Sequence, residues 1–281
     1  MNAKEIVSQV TNLPTLPQAT IKLLHLLKKP DENMQAALDL IQTDPVLSAK
    51  LLRICNSAAI GLRQPVASVD NAVYFLGFNE VQRLAIAIGM GGSLKRSAKD
   101  PLQVRDLWYH SVVTAHTASM IASDIEAIHA NPSVVFTAAL MHDLGKLVVT
   151  EALSPEQLAT LRASVAAGQR EVDAERALLQ TDHAEIGAHL LELWRMPEIL
   201  VESVRNHHNP VCKPDPCLSL LVHVADCVAH QIGEAPGWTV FCKNVNQDAA
   251  AFLGFDAPKL AETLQLLSDQ KKKMDQFALA A

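Results

Sequence analysis

The chain contains eleven histidines in 281 residues, and most of them lie between positions 110 and 230. Among them, the adjacent pair His142 and Asp143 interrupts an otherwise apolar run from residue 138 to residue 149. An imidazole and a carboxylate are costly to bury unless they are paired with other groups or bind a metal ion. This pair is therefore the first candidate for chemistry in the sequence.

Further carboxylates and imidazoles flank this pair in contexts typical of helices. Asp106 and His110 are four residues apart, so on a helix they share a face and could both reach one cation. His183 opens one predicted helix, His207 and His208 close another, and Asp226 lies in an apolar run. The candidate metal ligands are Asp106, His110, His142, Asp143, His183, His207, His208 and Asp226.

This set offers nitrogen and oxygen donors without any thiolate, which suits Fe, Mn, Zn or Ni, and it contains enough ligands for two divalent ions. A single helical histidine is more often structural than functional, so the interpretation depends on the joint occurrence of the set. The remaining histidines in this part of the chain lack a partner at useful spacing, and we interpret them as structural: His116, His129, His189, His223 and His230.

The segments that must position these donors are predicted to be helical throughout. Aromatic residues make up only 4% of the chain, and apolar residues recur at helical spacing. Asp44 before Pro45, and Ser154 before Pro155, are typical of helix N-termini, because the polar side chain caps the helix and proline occupies its first position. An all-α fold is expected.

Interruptions of the apolar pattern divide the chain into three predicted parts. Glycine and polar residues between positions 91 and 101 indicate one boundary, and a second falls between 234 and 237. We expect an N-terminal helical lobe at residues 1–95, a metal-binding helical bundle at 96–235 and a C-terminal helical extension at 236–281.

Charge and cysteine content narrow the function classes. The formal net charge of -6 argues against general nucleic-acid binding, which depends on clustered Lys and Arg. We find neither a signal-like N-terminus nor an apolar stretch long enough to cross a membrane, so we expect a cytoplasmic protein. Five scattered cysteines indicate free thiols. Cys212 and Cys217 follow His208 but are separated by four residues and have no second pair, which disfavours a zinc knuckle.

The donor set resembles that of the HD superfamily of metal-dependent phosphohydrolases. The resemblance to its core ligands covers His110, His142, Asp143 and Asp226. The additional ligands of the multinuclear HD-GYP branch are matched by His183, His207 and His208, and Asp106 would replace a glutamate of that branch. Residues 209–212 read Asn-Pro-Val-Cys and contain no Gly-Tyr-Pro element, so cleavage of cyclic di-GMP is not expected.

Motifs before and after the His-Asp pair resemble the narrower HDOD (HD-related output) domain family in their order and spacing. They occupy residues 13–17, 44–47, 51–58, 72–78, 107–111, 184–187 and 193–197. The resemblance covers roughly residues 10–230, and several separate motifs in one order make chance agreement improbable. It implies an N-terminal helical lobe packed against an HD-type helical bundle, in a protein of bacterial signal transduction.

Two functions follow from this resemblance. The first is a metal-dependent phosphohydrolase acting on a phosphate ester or phosphodiester, such as a nucleotide, in which Asp143 bridges two cations. Lys146 would then contact a phosphate oxygen; its alternative role is that of a solvent-facing helix lysine. The second function is a regulatory module without turnover, in which the metal is structural or senses a ligand and the chain binds a signalling protein.

Overall fold

The computed structural model describes residues 2–10, 13, 15–29, 32–58, 60–62, 64–94, 101–124, 131–210, 218–231 and 253–280. Within these ranges the chain is helical and contains no strand, so the predicted all-α fold class is confirmed. The boundary residues 95–100 and 234–237, together with His129, Cys212 and Cys217, lie outside the described residues. The division into three parts stays a prediction.

Helices follow one another closely along the whole described chain. The predicted N-terminal lobe contains α1 (Ala3–Gln9), α2 (Gln18–Leu26), α3 (Met34–Thr43), α4 (Pro45–Cys55), α5 (Val69–Leu76) and α6 (Phe78–Leu94). The predicted bundle contains α7 (Pro101–Asp124), α8 (Pro132–Met141), α9 (Gly145–Ala152), α10 (Pro155–Ala166), α11 (Glu171–Leu179), α12 (His183–Leu193), α13 (Glu198–Asn206) and α14 (Leu218–Gln231). The C-terminal helix is α15 (Ala257–Ala280).

The bundle is organised around the long helix α7, which packs against α8, α14 and α15. Helix α12 packs against α9 and α13, and α13 also contacts α8 and α14. Helix α6 joins the two parts, because it packs against α2, α4 and α5 on one side and against α8 on the other. The N-terminal helix α1 crosses to the bundle and packs against α9 and α12. One continuous apolar core results.

Helix α8 is almost completely buried in the bundle. All of its residues from Ser133 to Met141 are buried, and its apolar side chains leave it without a polar face. Together with α9 it forms the stretch Pro132–Ala152, which among the described residues is long and apolar enough to cross a membrane, so the expectation that the chain has no such stretch was wrong. Its most apolar window is 100% buried inside the protein, as expected for a core helix.

The predicted helix start at Asp44 is confirmed. Its Oδ1 accepts hydrogen bonds from the backbone N–H groups of Val46 and Leu47 at 3.1 and 3.0 Å, and Pro45 occupies the first turn. Ser154 caps α10 in the same way: its Oγ accepts from the Gln157 backbone N–H, and the Gln157 side-chain oxygen accepts from the Ser154 backbone N–H. Capping thus fixes where helices begin, as the sequence indicated.

Asp44→Ala should lower the free energy of unfolding by about 1 kcal/mol, because two backbone donors lose their acceptor. Asp44→Asn keeps a side-chain oxygen in place and should stay within a few tenths of a kcal/mol of the wild type, as asparagine caps about as well as aspartate. Urea unfolding followed by circular dichroism measures both. Equal stability of the alanine and asparagine variants would contradict the capping role.

Candidate metal centre

His142 and Asp143 occupy the short turn between α8 and α9. His142 ends α8 in helical conformation, and its Nδ1 donates a hydrogen bond to the carbonyl oxygen of Ala139 at 2.7 Å. This bond fixes the imidazole so that Nε2 is the free ring nitrogen, and Nε2 is buried without a hydrogen-bond partner in the described structure. The end of an apolar core helix therefore delivers an imidazole and a carboxylate to the protein interior.

His207 repeats this arrangement at the end of α13. Its Nδ1 donates to the carbonyl oxygen of Val204 at 2.6 Å, three residues earlier, and its Nε2 is also buried with no hydrogen bond to any described residue. Burial lowers the pKa of His207 to about 3, so this ring is neutral. Burial also lowers the pKa of His142, but the carboxylates of Asp143 and Asp226 outweigh it and raise that pKa to about 9, so a metal ion would have to displace a proton from His142.

His183 is the first residue of α12 and is held by a carboxylate from α11. The Glu175 Oε2 atom accepts hydrogen bonds from the His183 backbone N–H at 2.8 Å and from its Nδ1 at 2.7 Å. Both side chains are fully buried. A carboxylate on the second ring nitrogen is the usual support of a metal-binding histidine, because it sets the tautomer and the ring orientation.

Two glycines allow α9 and α12 to approach closely at this point. A Cβ atom on Gly145 would lie 1.9 Å from the carbonyl oxygen of His183 and 2.8 Å from the backbone nitrogen of Gly187. A Cβ atom on Gly187 would lie 3.2 Å from the backbone nitrogen of Gly145. The glycine contact thus brings the start of α12, and with it His183, next to Asp143.

The two carboxylate oxygens of Asp143 face two different sets of imidazoles. Oδ2 lies 3.3 Å from Nε2 of His142 and 3.8 Å from Nε2 of His110. Oδ1 lies 3.3 Å from Nε2 of His183 and 3.8 Å from Nε2 of His207. Asp143 is 1% exposed. This carboxylate therefore stands between two groups of donors from α7, α8, α12 and α13.

Two further predicted ligands complete these groups. Asp226 on α14 places Oδ1 2.9 Å from Nε2 of His110 and 3.6 Å from Nε2 of His142. His208 places Nε2 2.8 Å from Nε2 of His183. We define the first donor group as His110, His142, Asp143 and Asp226, and the second donor group as Asp143, His183, His207 and His208. Seven of the eight sequence-predicted ligands are thus brought together.

Asp106 lies apart from both donor groups. Its side chain is 44% exposed and forms an ion pair with Arg105, its neighbour on α7, at 3.1 Å. The two residues that follow it, Leu107 and Trp108, are buried. The four-residue spacing places Asp106 and His110 on one side of α7, but Asp106 remains at the surface of the bundle.

Lys146 is buried rather than solvent-facing, so the alternative role considered from the sequence is wrong. It is 2% exposed, and its Nζ lies 2.6 Å from Oδ2 of Asp143 and 3.1 Å from Oε2 of Glu171. Burial lowers the pKa of Lys146, but the carboxylates of Asp143 and Glu171 outweigh it and raise that pKa above its ordinary value. The ammonium group is therefore a fixed positive charge beside the cluster.

Three residues close to the cluster were missed from the sequence. His230, interpreted as structural, places Nε2 3.2 Å from Oδ1 of Asp226. Its four-residue spacing from Asp226 was a usable signal, of the same kind as that between Asp106 and His110. Glu171 and Glu175 reach the cluster from α11. Their sequence spacing from Asp143 and His183 does not indicate that they lie close to these residues.

Comparison with known proteins identifies the family. The sequence model of the HDOD domain family matches residues 13–210 of this chain. This chain belongs to the HDOD domain family. The helical lobe and the HD-type bundle expected from the resemblance are therefore confirmed as the fold, and the motifs that carried the resemblance were correctly interpreted.

Two curated proteins and one solved structure are similar to this HDOD chain. An uncharacterized protein from Treponema pallidum is 28% identical over 248 residues, which are 83% of this chain and 45% of that protein. Ribonuclease Y from Opitutus terrae is 32% identical over 120 residues, covering 43% of this chain and 17% of the ribonuclease. The chain thus spans less than half the length of these relatives.

The solved structure comes from Shewanella amazonensis and belongs to a protein whose assignment as a phosphohydrolase is itself provisional. It is 25% identical, has a TM-score of 0.72, and the match covers 98% of this chain and 97% of that chain. The same arrangement of lobe and bundle thus recurs across both proteins over nearly their full lengths.

Proposed function

We propose that this HDOD protein is a metal-dependent phosphohydrolase that holds two divalent ions and hydrolyses a phosphate ester or phosphodiester. The observation that carries the proposal is the position of Asp143, whose two oxygens each face a separate group of imidazoles. The first donor group would hold one ion and the second donor group the other, with Asp143 shared between them. The donor chemistry suits Fe, Mn, Zn or Ni.

The buried polar atoms of the cluster fit bound cations. Nε2 of His142, Nε2 of His207 and Oδ1 of Asp143 are buried and form no hydrogen bond with the described residues. Each such orphan atom costs about 1–3 kcal/mol in desolvation. In addition, two imidazole nitrogens 2.8 Å apart, those of His183 and His208, repel each other unless one carries a proton or both bind a cation. Divalent ions would satisfy all of these atoms together.

Bound divalent ions would lower the pKa of water to generate a nucleophile and would stabilise the charge that develops on phosphoryl oxygens. The protein contributes the orientation of the ligands through three fixed Nδ1 contacts, those of His142, His183 and His207. Lys146 contributes a positive charge that Asp143 and Glu171 hold in place. We assign catalytic roles to Asp143, as the shared ligand, and to Lys146, as a charge that favours a phosphate anion nearby.

The comparisons support hydrolysis of a phosphate ester, since one similar protein is a ribonuclease and another is assigned to the phosphohydrolases. The acidic net charge of -6 favours a small phosphorylated substrate, such as a nucleotide, over a long polyanion. The alternative is the regulatory module, which would bind metal and a signalling protein without turnover.

The test uses the full chain, stripped of metal with a chelator and reloaded with Mn²⁺ or, without oxygen, with Fe²⁺. We expect about two ions per chain and release of phosphate or cleavage of a phosphodiester from a panel of nucleotides. Metal binding without turnover on the whole panel would favour the regulatory module. Failure to bind any divalent ion would overturn the proposal.

Glu175→Ala should weaken metal binding about 10–100-fold, because His183 loses the carboxylate that fixes its ring. Glu175→Gln should stay much closer to the wild type, since its amide oxygen can accept both hydrogen bonds from His183. Isothermal titration with Mn²⁺ measures both affinities. Asp173→Ala is the matched control, because Asp173 lies on the same helix but is 45% exposed and pairs with Arg170. Wild-type affinity in the alanine variant would contradict this role.

A further inference from the structure

The first donor group has a neighbouring imidazole that the proposed ligand sets leave out. His230 lies one helical turn after Asp226 on α14, so the two residues share a face. Its Nε2 lies 3.2 Å from Oδ1 of Asp226, and its ring is tilted by 33° to that of His110 with centroids 4.8 Å apart. The side chain is only 7% exposed. His230 is therefore a largely buried neighbour of the first donor group.

Three imidazole nitrogens converge on one carboxylate oxygen at this point. Oδ1 of Asp226 lies 2.9 Å from Nε2 of His110, 3.2 Å from that of His230 and 3.6 Å from that of His142. A carboxylate oxygen has about two lone-pair sites, so hydrogen bonds account for two of these neighbours and leave the third without a partner. A cation among the donor atoms accommodates all three, because each imidazole then offers its own lone pair.

We propose that His230 is a further metal ligand, which binds the same ion as His110 and Asp226. The donor atoms of these three residues all lie within 4.8 Å of one another. An imidazole Nε2 has a single lone pair, so His110 can serve only one ion, and His230 adds to the first donor group instead of creating a separate site. The inference rests on the metal site of the proposed function.

His230 would thereby be the additional ligand beside His110, a role that the sequence had predicted for Asp106. Asp106 forms an ion pair with Arg105 and its side chain is 44% exposed, whereas the side chain of His230 on α14 is 7% exposed and faces Asp226. The exchange replaces an oxygen donor by a nitrogen donor. Since imidazole suits Fe, Ni and Zn, whereas carboxylates and water suit Mg, Ca and Mn, the first donor group should favour Fe²⁺, Ni²⁺ or Zn²⁺ over these harder cations.

The decisive experiment compares His230→Gln with His230→Glu, two side chains of the same shape. The glutamine amide can donate a hydrogen bond to Asp226 but is a poor metal ligand, whereas the glutamate carboxylate is a metal ligand but cannot donate when ionised. If His230 is a ligand, the glutamine variant should bind Zn²⁺ at least about tenfold more weakly and the glutamate variant should retain most of the affinity. His189→Gln, at a half-buried histidine paired with Glu192, is the control.

The reverse order, with wild-type affinity in the glutamine variant and loss in the glutamate variant, would show that His230 only donates to Asp226 and would overturn the inference. A Zn²⁺ titration of the chelator-treated wild type shows whether the metal site of the proposed function exists. If the wild type binds Zn²⁺, the result for the variants concerns His230 alone. If the wild type binds no Zn²⁺, both fail.

A second test of His230 as a ligand uses the wild-type protein, so it does not depend on the folding of a variant. In protein labelled with ¹⁵N in histidine, Zn²⁺ should move the ring resonances of six coordinated imidazoles, the five of the two donor groups and His230. Movement of only five, with the ring of His230 unchanged, would contradict its role as a ligand.

Discussion

Asp143→Asn should abolish hydrolysis and weaken cation binding in both donor groups at the same time. The substitution is nearly isosteric, so the side chain still fits the turn between α8 and α9. However, one of the two oxygens becomes an NH₂ group that cannot bind a cation, and the negative charge is lost. Because Oδ1 and Oδ2 face different imidazoles, no orientation of the amide serves both groups. We expect at least about a 100-fold loss of metal affinity, the upper end of the cost of removing a supporting group.

Elemental analysis after dialysis measures the metal content, and phosphate release measures turnover. Asp106→Asn is the matched control: it makes the same chemical change on a predicted ligand that the structure places at the surface. That variant should keep the wild-type metal content and rate. Turnover by Asp143→Asn at the wild-type rate would show that the shared carboxylate is not part of the reaction.

The stability of the metal-free protein should also depend on Asp143. Asp143 is the nearer of two carboxylates around the buried ammonium of Lys146, at 2.6 Å compared with 3.1 Å for Glu171. Removing one partner of a buried ion pair costs about 3–5 kcal/mol when the remaining charge is left alone, and Glu171 should reduce that cost here. Circular dichroism at low temperature, where the variant remains folded, therefore separates loss of the site from loss of the fold.

The sequence alone predicted the fold and most of the cluster for an identifiable reason. An adjacent imidazole and carboxylate inside an apolar run can lie nowhere but in the core, so His142 and Asp143 had to be buried together. The helix ends at His142 and His207, and the helix start at His183, then place the side chains where backbone contacts orient them.

Asp106 and His230 show where the same reasoning stopped. Both stand four residues from a ligand on a helix, and this spacing states only that two residues share a face. Which face meets the core depends on neighbouring helices, and burial of Leu107 and Trp108 leaves Asp106 at the surface of α7. The spacing argument was applied to Asp106 but not to His230.

The supporting residues could not be found from spacing at all. Lys146 and Glu171 are on different helices and meet only because α9 and α11 are folded against the same cluster. A lysine in an isolated helix is expected to face solvent, so its burial depends on partners that tertiary structure supplies. The same holds for Glu175, which reaches the ring of His183 from α11.

Gly145→Ala should be the most damaging substitution by a single methyl group in the bundle. The added Cβ would lie 1.9 Å from the carbonyl oxygen of His183 and 2.8 Å from the nitrogen of Gly187. Both are backbone atoms, which cannot rotate away as a side chain could, so α9 and α12 must separate. Overpacking of this kind typically costs about 1–3 kcal/mol and occasionally more, and we expect the upper end or beyond.

A graded series tests the cause of this loss. Gly187→Ala lies at the same contact, but its Cβ would meet its neighbours at 3.2 Å, so it should cost clearly less than Gly145→Ala. Gly168→Ala meets no atom within 4 Å and has a φ of +96°, so it reports the cost of the backbone conformation alone. Urea unfolding should order the losses with Gly145→Ala first. Equal losses at Gly145 and Gly168 would show that the helix contact is not the reason.

Separation of α9 from α12 should also affect the two donor groups differently. His183 faces Asp143 across the contact between these helices, whereas His110, His142 and Asp226 are held by α7, α8 and α14. A Gly145→Ala protein that still folds should therefore lose the ion of the second donor group and keep that of the first. Elemental analysis would then give about one divalent ion per chain, compared with about two for the wild type. Retention of both ions would show that the glycine contact does not position His183, and loss of both would show that the two groups assemble as one unit.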